Sequence, residues 1–195
     1  MNQEILADDL VSQYLDSLQR VISRLPHDDI WRVIRIILAA WRENRQIFIL
    51  GNGGSAASAS HFAVDLAKNI AVPGKGRFRA IALTDNVPYL TALANDEGYE
   101  NVFSEQLIPL LRTGDVVIGI SGSGNSPNVL KAMQIARAAQ ATTIGLTGFQ
   151  GGKLKDLVDY CIIVPSDEMK QIEDVHLILE HCICHALKAL ILASE

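Results

Sequence analysis

The sequence predicts an α/β fold in which a five-stranded parallel sheet is covered by helices on both faces, with a pair of helices ahead of it. Three observations lead there. Five apolar runs of four or five residues are too short for helices and read as buried strands. Segments with helical spacing of apolar residues separate them, and strand–helix–strand alternation of this kind builds parallel sheets. Two of the runs end in glycine- and serine-rich turns, at 51–55 and 121–126.

The first helices are expected over 6–24 and 28–43. The second follows Pro26-His27-Asp28, where Asp28 is placed to cap free N–H groups, and carries Ile30, Val33, Ile34, Ile37 and Leu38 on one face. The period then changes at Gln46-Ile47-Phe48-Ile49-Leu50, the first strand, and a helix is expected from Ser55 to Ile70. The second strand is Ala80-Ile81-Ala82-Leu83, followed by helical segments near 87–94 and 100–112. Val116–Ile120 is the third strand and 127–139 the next helix. Thr142–Leu146 is the fourth strand, with a short helix near 152–157. Tyr160–Val164 is the last strand, stopped by Pro165, and a long helix fills 170–193. No repeat, linker or low-complexity tract interrupts the chain. It reads as one domain, with 1–44 as N-terminal helices and 45–195 as sheet core and C-terminal helix. Ligands of such sheets bind beyond the carboxyl ends of the strands, where strand order reverses.

Composition narrows the function. The chain of 195 residues is 49% hydrophobic but only 6% aromatic, so Ile, Leu, Val and Ala must build the core. Its net charge is −5 with Lys and Arg scattered, which argues against a nucleic-acid surface. An anionic ligand must therefore be held by local backbone dipoles and hydroxyls rather than by overall charge. The three cysteines, Cys161, Cys182 and Cys184, form no CxxC pair and read as small apolar filler. Met1-Asn2-Gln3-Glu4 lacks the basic region of a signal peptide, and no apolar stretch is judged long enough to span a bilayer. A cytosolic protein without membrane contact is expected.

Gly51-Asn52-Gly53-Gly54-Ser55 leaves a strand and opens a helix, so its bare backbone and the helix N-terminus suit an anion. Ser121-Gly122-Ser123-Gly124-Asn125-Ser126 repeats the arrangement after the third strand. Ser126-Pro127 there makes a good helix start, with a hydroxyl cap and proline at the first position. Capping explains Ser126 but not Ser121 and Ser123; three hydroxyls between bare N–H groups suit an ester with several acceptor oxygens. Gly148–Lys153 fails the Walker A pattern, since Thr147 stands at its first glycine. Gly51–Ala56 satisfies the dinucleotide fingerprint G-x-G-x-x-A, yet Asp85 lies 34 residues beyond Gly51 against about 20 expected. Dinucleotide binding is a minor alternative, and no nucleotide cofactor is expected.

His61 and Asp65 share a face of the helix that opens at the first turn, as a metal pair or a proton-transfer pair. The last helix adds Glu173, His176, Glu180, His181 and His185 to an otherwise apolar surface. His181 and His185 are spaced to bind a metal on their own. Glu173 and His181, separated by roughly 12 Å of helical rise, meet at one atom only if it sits between them.

Gly51–Ala57 with His61-Phe62-Ala63 resembles the phosphoheptose isomerases of the sugar-isomerase (SIS) superfamily. Ala94-Asn95-Asp96, Ile120–Ser126, Leu146-Thr147-Gly148 with Gly151-Gly152-Lys153, and the His176/His181 helix extend the resemblance over nearly the whole chain. It implies a flavodoxin-like five-stranded sheet, a homotetramer with sites between subunits, and interconversion of sedoheptulose 7-phosphate with an aldose through an enediol. The substrate positions it implies are Asn52, Gly53, Gly54, Asn95, Asp96, Ser121, Gly122, Ser123, Ser126 and Glu173, to which the turn itself adds Ser55. The implied metal positions are His61, Asp65, Glu173 and His181, for one zinc ion, with Asp65 and His181 as base and acid.

Three positions depart from the family pattern. The family has Glu where Asp65 stands, Gln where Glu173 stands, and Ser-Thr-Ser where this chain has Ser121-Gly122-Ser123. A base displaced by about 1 Å can lose about 100-fold in rate. The competing expectation is a non-catalytic SIS protein, either a sugar-phosphate sensor or a scaffold like the proteins that associate with the bacterial replication initiator. A pure binding module has no need of His61, Asp65 and His181 together.

Overall fold

The computed structural model describes residues 3–194. Two helices, α1 (Gln3–Ile22) and α2 (His27–Arg42), lead into β1 (Gln46–Gly51) and α3 (Gly54–Val64). There follow β2 (Arg79–Ala82), α4 (Val87–Asp96), α5 (Ser104–Leu110), β3 (Val116–Ile120), α6 (Pro127–Ala138) and β4 (Thr142–Thr147). The chain finishes with α7 (Leu154–Leu157), β5 (Tyr160–Ile163) and α8 (Met169–Ala193). All strand pairs are parallel, in the order β2-β1-β3-β4-β5. That is the flavodoxin-like order, and its switch point falls between β1 and β3.

The central strands show why short apolar runs were needed. Every residue of β1 and β3 is buried, and their side chains alternate between two cores. Ile47 and Ile49 point to the layer of α2, α3 and α8, with Ile37, Phe62, Leu66, Val175 and Leu179. Phe48 and Leu50 point to the layer of α5 and α6, with Phe103, Leu107, Val129 and Met133. α1 is tied to α8 by polar contacts: Tyr14 donates to Asp174, and Gln171 Nε2 donates to Ser17 Oγ at 2.9 Å.

Several expectations change. α2 begins at His27 with Pro26 at its N-cap position, so Asp28 lies in the first turn and caps nothing. β2 is an edge strand with Arg79 and Ile81 exposed, and so lacks the two-sided burial expected of it. The segment 100–112 does not run as one helix: Tyr99–Asn101 is a 3₁₀ turn entered through Gly98 at φ 94°, and α5 starts afresh at Ser104. α8 is by length and composition apolar enough to cross a membrane. In this fold it is a core helix, with Ile172, Val175, Leu179, Ile183, Leu187 and Ile191 buried. Finally, α3 passes at Asp65 into a π-helical turn, Asp65–Asn69, closed by Ile70 N–H donating to the Asp65 carbonyl at 3.1 Å.

Candidate active site

The loops after β1 and β3 stand side by side at the switch point. Gly51 permits their closeness: a Cβ there would lie 2.9 Å from the Ile120 carbonyl oxygen and 2.7 Å from that of Ser55. Gly53 occupies the N-cap of α3 at φ 54°, a left-handed conformation that glycine adopts without strain. In the first turn of α3 the Ala56 N–H is taken by the Asn52 and Gly53 carbonyls, which leaves the Gly54 and Ser55 N–H groups at the open end of the helix. Asn52 is fixed by a reciprocal amide pair with Asn128, at 2.9 and 2.8 Å, and its Oδ1 also accepts from the Tyr99 hydroxyl at 2.9 Å.

In the second loop Ser121 is buried and its Oγ lies 3.0 Å from Ser126 Oγ. Ser126 holds the N-cap position of α6 but makes no capping hydrogen bond, contrary to the sequence expectation; its hydroxyl is turned to Ser121 instead. The loop is braced from behind by the segment after β4. Gly148 N–H donates to the Gly122 carbonyl, Leu154 N–H to the Gly124 carbonyl, and Lys153 N–H to Asn125 Oδ1 at 2.9, 2.9 and 3.1 Å. A Cβ at Gly122 would come within 2.5 Å of Met169 Sδ at the start of α8, an exposed and flexible side chain that would turn aside to admit it. A cavity of about 470 Å³ joins the loops, lined by Asn52, Tyr99, Glu100, Ser126, Pro127 and Asn128. Another of about 630 Å³ lies between α3 and β2. It touches neither loop, so the smaller cavity is the candidate site.

Between α3 and α8, His61, Asp65 and His181 bring three donor atoms within 4.8 Å of one another. The two Nε2 atoms are 3.2 Å apart, the rings meet edge to face, and Asp65 Oδ2 is 3.7 Å from each Nε2. Asp65 is buried while both histidines are exposed. Two imidazole nitrogens and a carboxylate oxygen aimed at one point can share a proton or hold a divalent cation, and three protein ligands would leave a position open for substrate. Seven residues separate Gly54 from His61, about 10 Å along α3.

Not every expected residue joins these groups. The Glu173 carboxylate rests over Gly54, its Oε1 3.1 Å from where a Cβ would stand, and is not part of the three-residue cluster. Asn95 turns to Asp96, donating at 2.7 Å, on the exposed end of α4. His181 pairs with His61 rather than with His185, which is exposed on α8. Asp85, weighed as a ribose ligand, accepts from Ser60 and Thr84. Asn128 and Tyr99, which orient Asn52, escaped the sequence reading because the pairing is tertiary; only the Asn that follows Ser126-Pro127 hinted at it.

Behind the cluster, α8 buries two ionisable side chains with no hydrogen-bond partner, His176 and Glu180. Burial lowers the His176 pKa to about 4, so the ring is neutral at pH 7. Burial, assisted by the Asp65 charge, raises that of Glu180 to about 8, so it holds its proton. Cys161 and Cys184 are pushed up to about 12, chiefly by burial, and are inert thiols.

The fold is that of an α/β protein with two glycine- and serine-rich loops at the switch point of its sheet and a His–Asp–His cluster between α3 and α8. The SIS domain family matches residues 13–148. The phosphoheptose isomerase of Aliarcobacter butzleri is 38% identical over 187 residues, 96% of this chain and 97% of that protein. That of Helicobacter pylori strain P12 is 39% identical over 189 residues, 96% of this chain and 94% of its own. The solved phosphoheptose isomerase GmhA from Neisseria gonorrhoeae superposes with a TM-score of 0.85 at 33% identity, covering 94% of this chain and 99% of that one. The chain belongs to the SIS-domain phosphoheptose isomerase family.

Proposed function

We propose that this chain, as one SIS domain spanning 1–195, isomerises sedoheptulose 7-phosphate or a related sugar phosphate in the cytosol. The phosphate sits on the 121–126 loop, with Ser121, Ser123 and Ser126 hydroxyls and the backbone at Gly122 as donors. Asn52, Gly53, Gly54, Ser55 and Glu173 line the path of the sugar chain toward the cluster. Asp65 takes the proton from C1 of the ketose while His181 gives one to O2, which forms the enediol. His181 then recovers the O1 proton, and Asp65 returns its proton to C2, giving the aldose.

The observation that carries this reading is the placement of Asp65 Oδ2 3.7 Å from both imidazoles, with His61 on the helix that opens at the first glycine-rich loop. The same donor set fits zinc, with His61, Asp65 and His181 as ligands. Bound there, the ion would polarise the sugar's carbonyl oxygen. Asn95 and Asp96, exposed at the end of α4, are offered to a neighbouring subunit, in keeping with a homotetramer whose sites lie at interfaces.

The test is to assay Asp65→Asn and His181→Ala with sedoheptulose 7-phosphate. Both are expected to lose isomerisation while sugar-phosphate binding persists. Wild-type turnover in either variant would remove that residue from the chemistry.

A further inference from the structure

Asp65 carries a shorter side chain than the Glu its relatives are expected to have, and it still reaches both histidines. Its two oxygens are treated differently. Oδ2 faces His61 and His181, whereas Oδ1 accepts a hydrogen bond from the Asn69 side-chain amide. The contact forms across the π-helical turn Asp65–Asn69, a departure from regular helix that recurs at functional sites. Asp65 is buried and Asn69 is exposed at the end of the turn, so the amide reaches inward from the rim.

We propose that Asn69 is a positioning residue for the reaction: its amide holds Oδ1 of Asp65 so that Oδ2 stays aimed between the two imidazoles. The inference rests on the proposed role of Asp65 as base and cation ligand. Without the amide, the carboxylate of a short side chain turns about its Cα–Cβ and Cβ–Cγ bonds, and Oδ2 leaves the point where the histidine nitrogens converge. A carboxylate that bonds a proton or a cation through one oxygen gains from a donor on the other, which fixes orientation. Glu at position 65 would carry its carboxylate about one methylene further out, past the reach of Asn69. Position 69 therefore matters because position 65 is Asp.

The experiment is a double-mutant cycle on the full-length protein: wild type, Asn69→Ala, Asp65→Glu and the double variant. Steady-state kinetics are paired with zinc affinity of the chelator-treated protein, read by competition with a chromophoric chelator. Asn69→Ala is expected to lower kcat about 10- to 100-fold and weaken zinc binding by a similar factor. KM should change little, and the melting temperature should fall only by the few degrees that one buried carboxylate oxygen left without its donor accounts for. Asn69→Asp, which cannot donate and adds charge, should fare no better than Asn69→Ala. In the Asp65→Glu background the same removal should change both readouts less than about threefold, by the same reasoning on reach. Unchanged kcat and zinc affinity in Asn69→Ala, or equal losses in both backgrounds, would overturn the proposal while leaving the isomerase reading intact. If the wild type shows no turnover at all, the isomerase reading falls, and the zinc arm alone decides whether Asn69 holds Asp65.

Discussion

Glu180→Gln should make the protein more stable. Glu180 is 0% exposed, and apart from an approach by the Ser58 hydroxyl neither carboxyl oxygen has a hydrogen-bond partner. Burial first, and the Asp65 charge second, raise its pKa from 4.5 to about 8. Between those values the folded chain keeps a proton that the unfolded chain has released, so stability falls as pH rises, by about 1.4 kcal/mol per unit. At pH 7 the loss has run over two and a half units, roughly 3 kcal/mol.

His176 acts in the opposite sense. Its pKa falls from 6.5 to about 4, so its contribution is complete above pH 6.5 and is lost as pH drops toward 4. The two slopes oppose each other between 4.5 and 6.5, and from 6.5 to 8 Glu180 acts alone. Gln has the shape of the protonated acid and the same unpartnered burial, so only the proton linkage disappears. Thermal melts in chelator across pH 5–8.5 should show Glu180→Gln gaining roughly 3 kcal/mol at pH 7, about 6–12 °C for a chain of this size. The fall of the wild-type melting temperature between pH 6.5 and 8 should vanish in the variant. An unchanged or lower melting temperature at pH 7, with the pH dependence intact, would refute the reasoning.

Two further substitutions probe the loops. Gly122→Thr brings its Cβ against Met169 Sδ, an exposed and flexible side chain that can turn aside, so stability should change by no more than about 1 kcal/mol; melts showing a loss of about 3 kcal/mol would contradict this. Asn128→Ala removes the reciprocal amide pair that fixes Asn52, so KM should rise by a factor corresponding to about 1–3 kcal/mol with kcat largely kept, and steady-state kinetics with an unchanged KM would count against that role.

The sheet was legible because strands buried on both faces need continuous apolar runs, and Gln46–Leu50 and Val116–Ile120 have no other use. The two loops were legible because glycine and serine at strand ends have backbone reasons to be there. Side-chain destinations were less so. Ser126 satisfies every local rule for a cap, yet its hydroxyl goes to Ser121, a choice made by loop closure rather than by sequence neighbours. Gly122 has Met169, 47 positions away in sequence, lying over it, a neighbour that no local pattern shows. His61 and Asp65 announced themselves by i,i+4 spacing, but their meeting with His181 depends on how α3 and α8 pack. Asn69 carries no local signal and Asn128 only its place after Ser126-Pro127, while His176 and Glu180 stood out as polar residues on an apolar helix without showing that they would be buried.

The central claim is that a crevice between the β1 and β3 loops holds a sugar phosphate with its carbonyl end against His61, Asp65 and His181. Incubating the purified chain with sedoheptulose 7-phosphate, with and without zinc, and following aldose formation tests it most directly. Steady conversion is expected, slower in the zinc-free chain. Saturable binding of the ester with no aldose formed under either condition would contradict it.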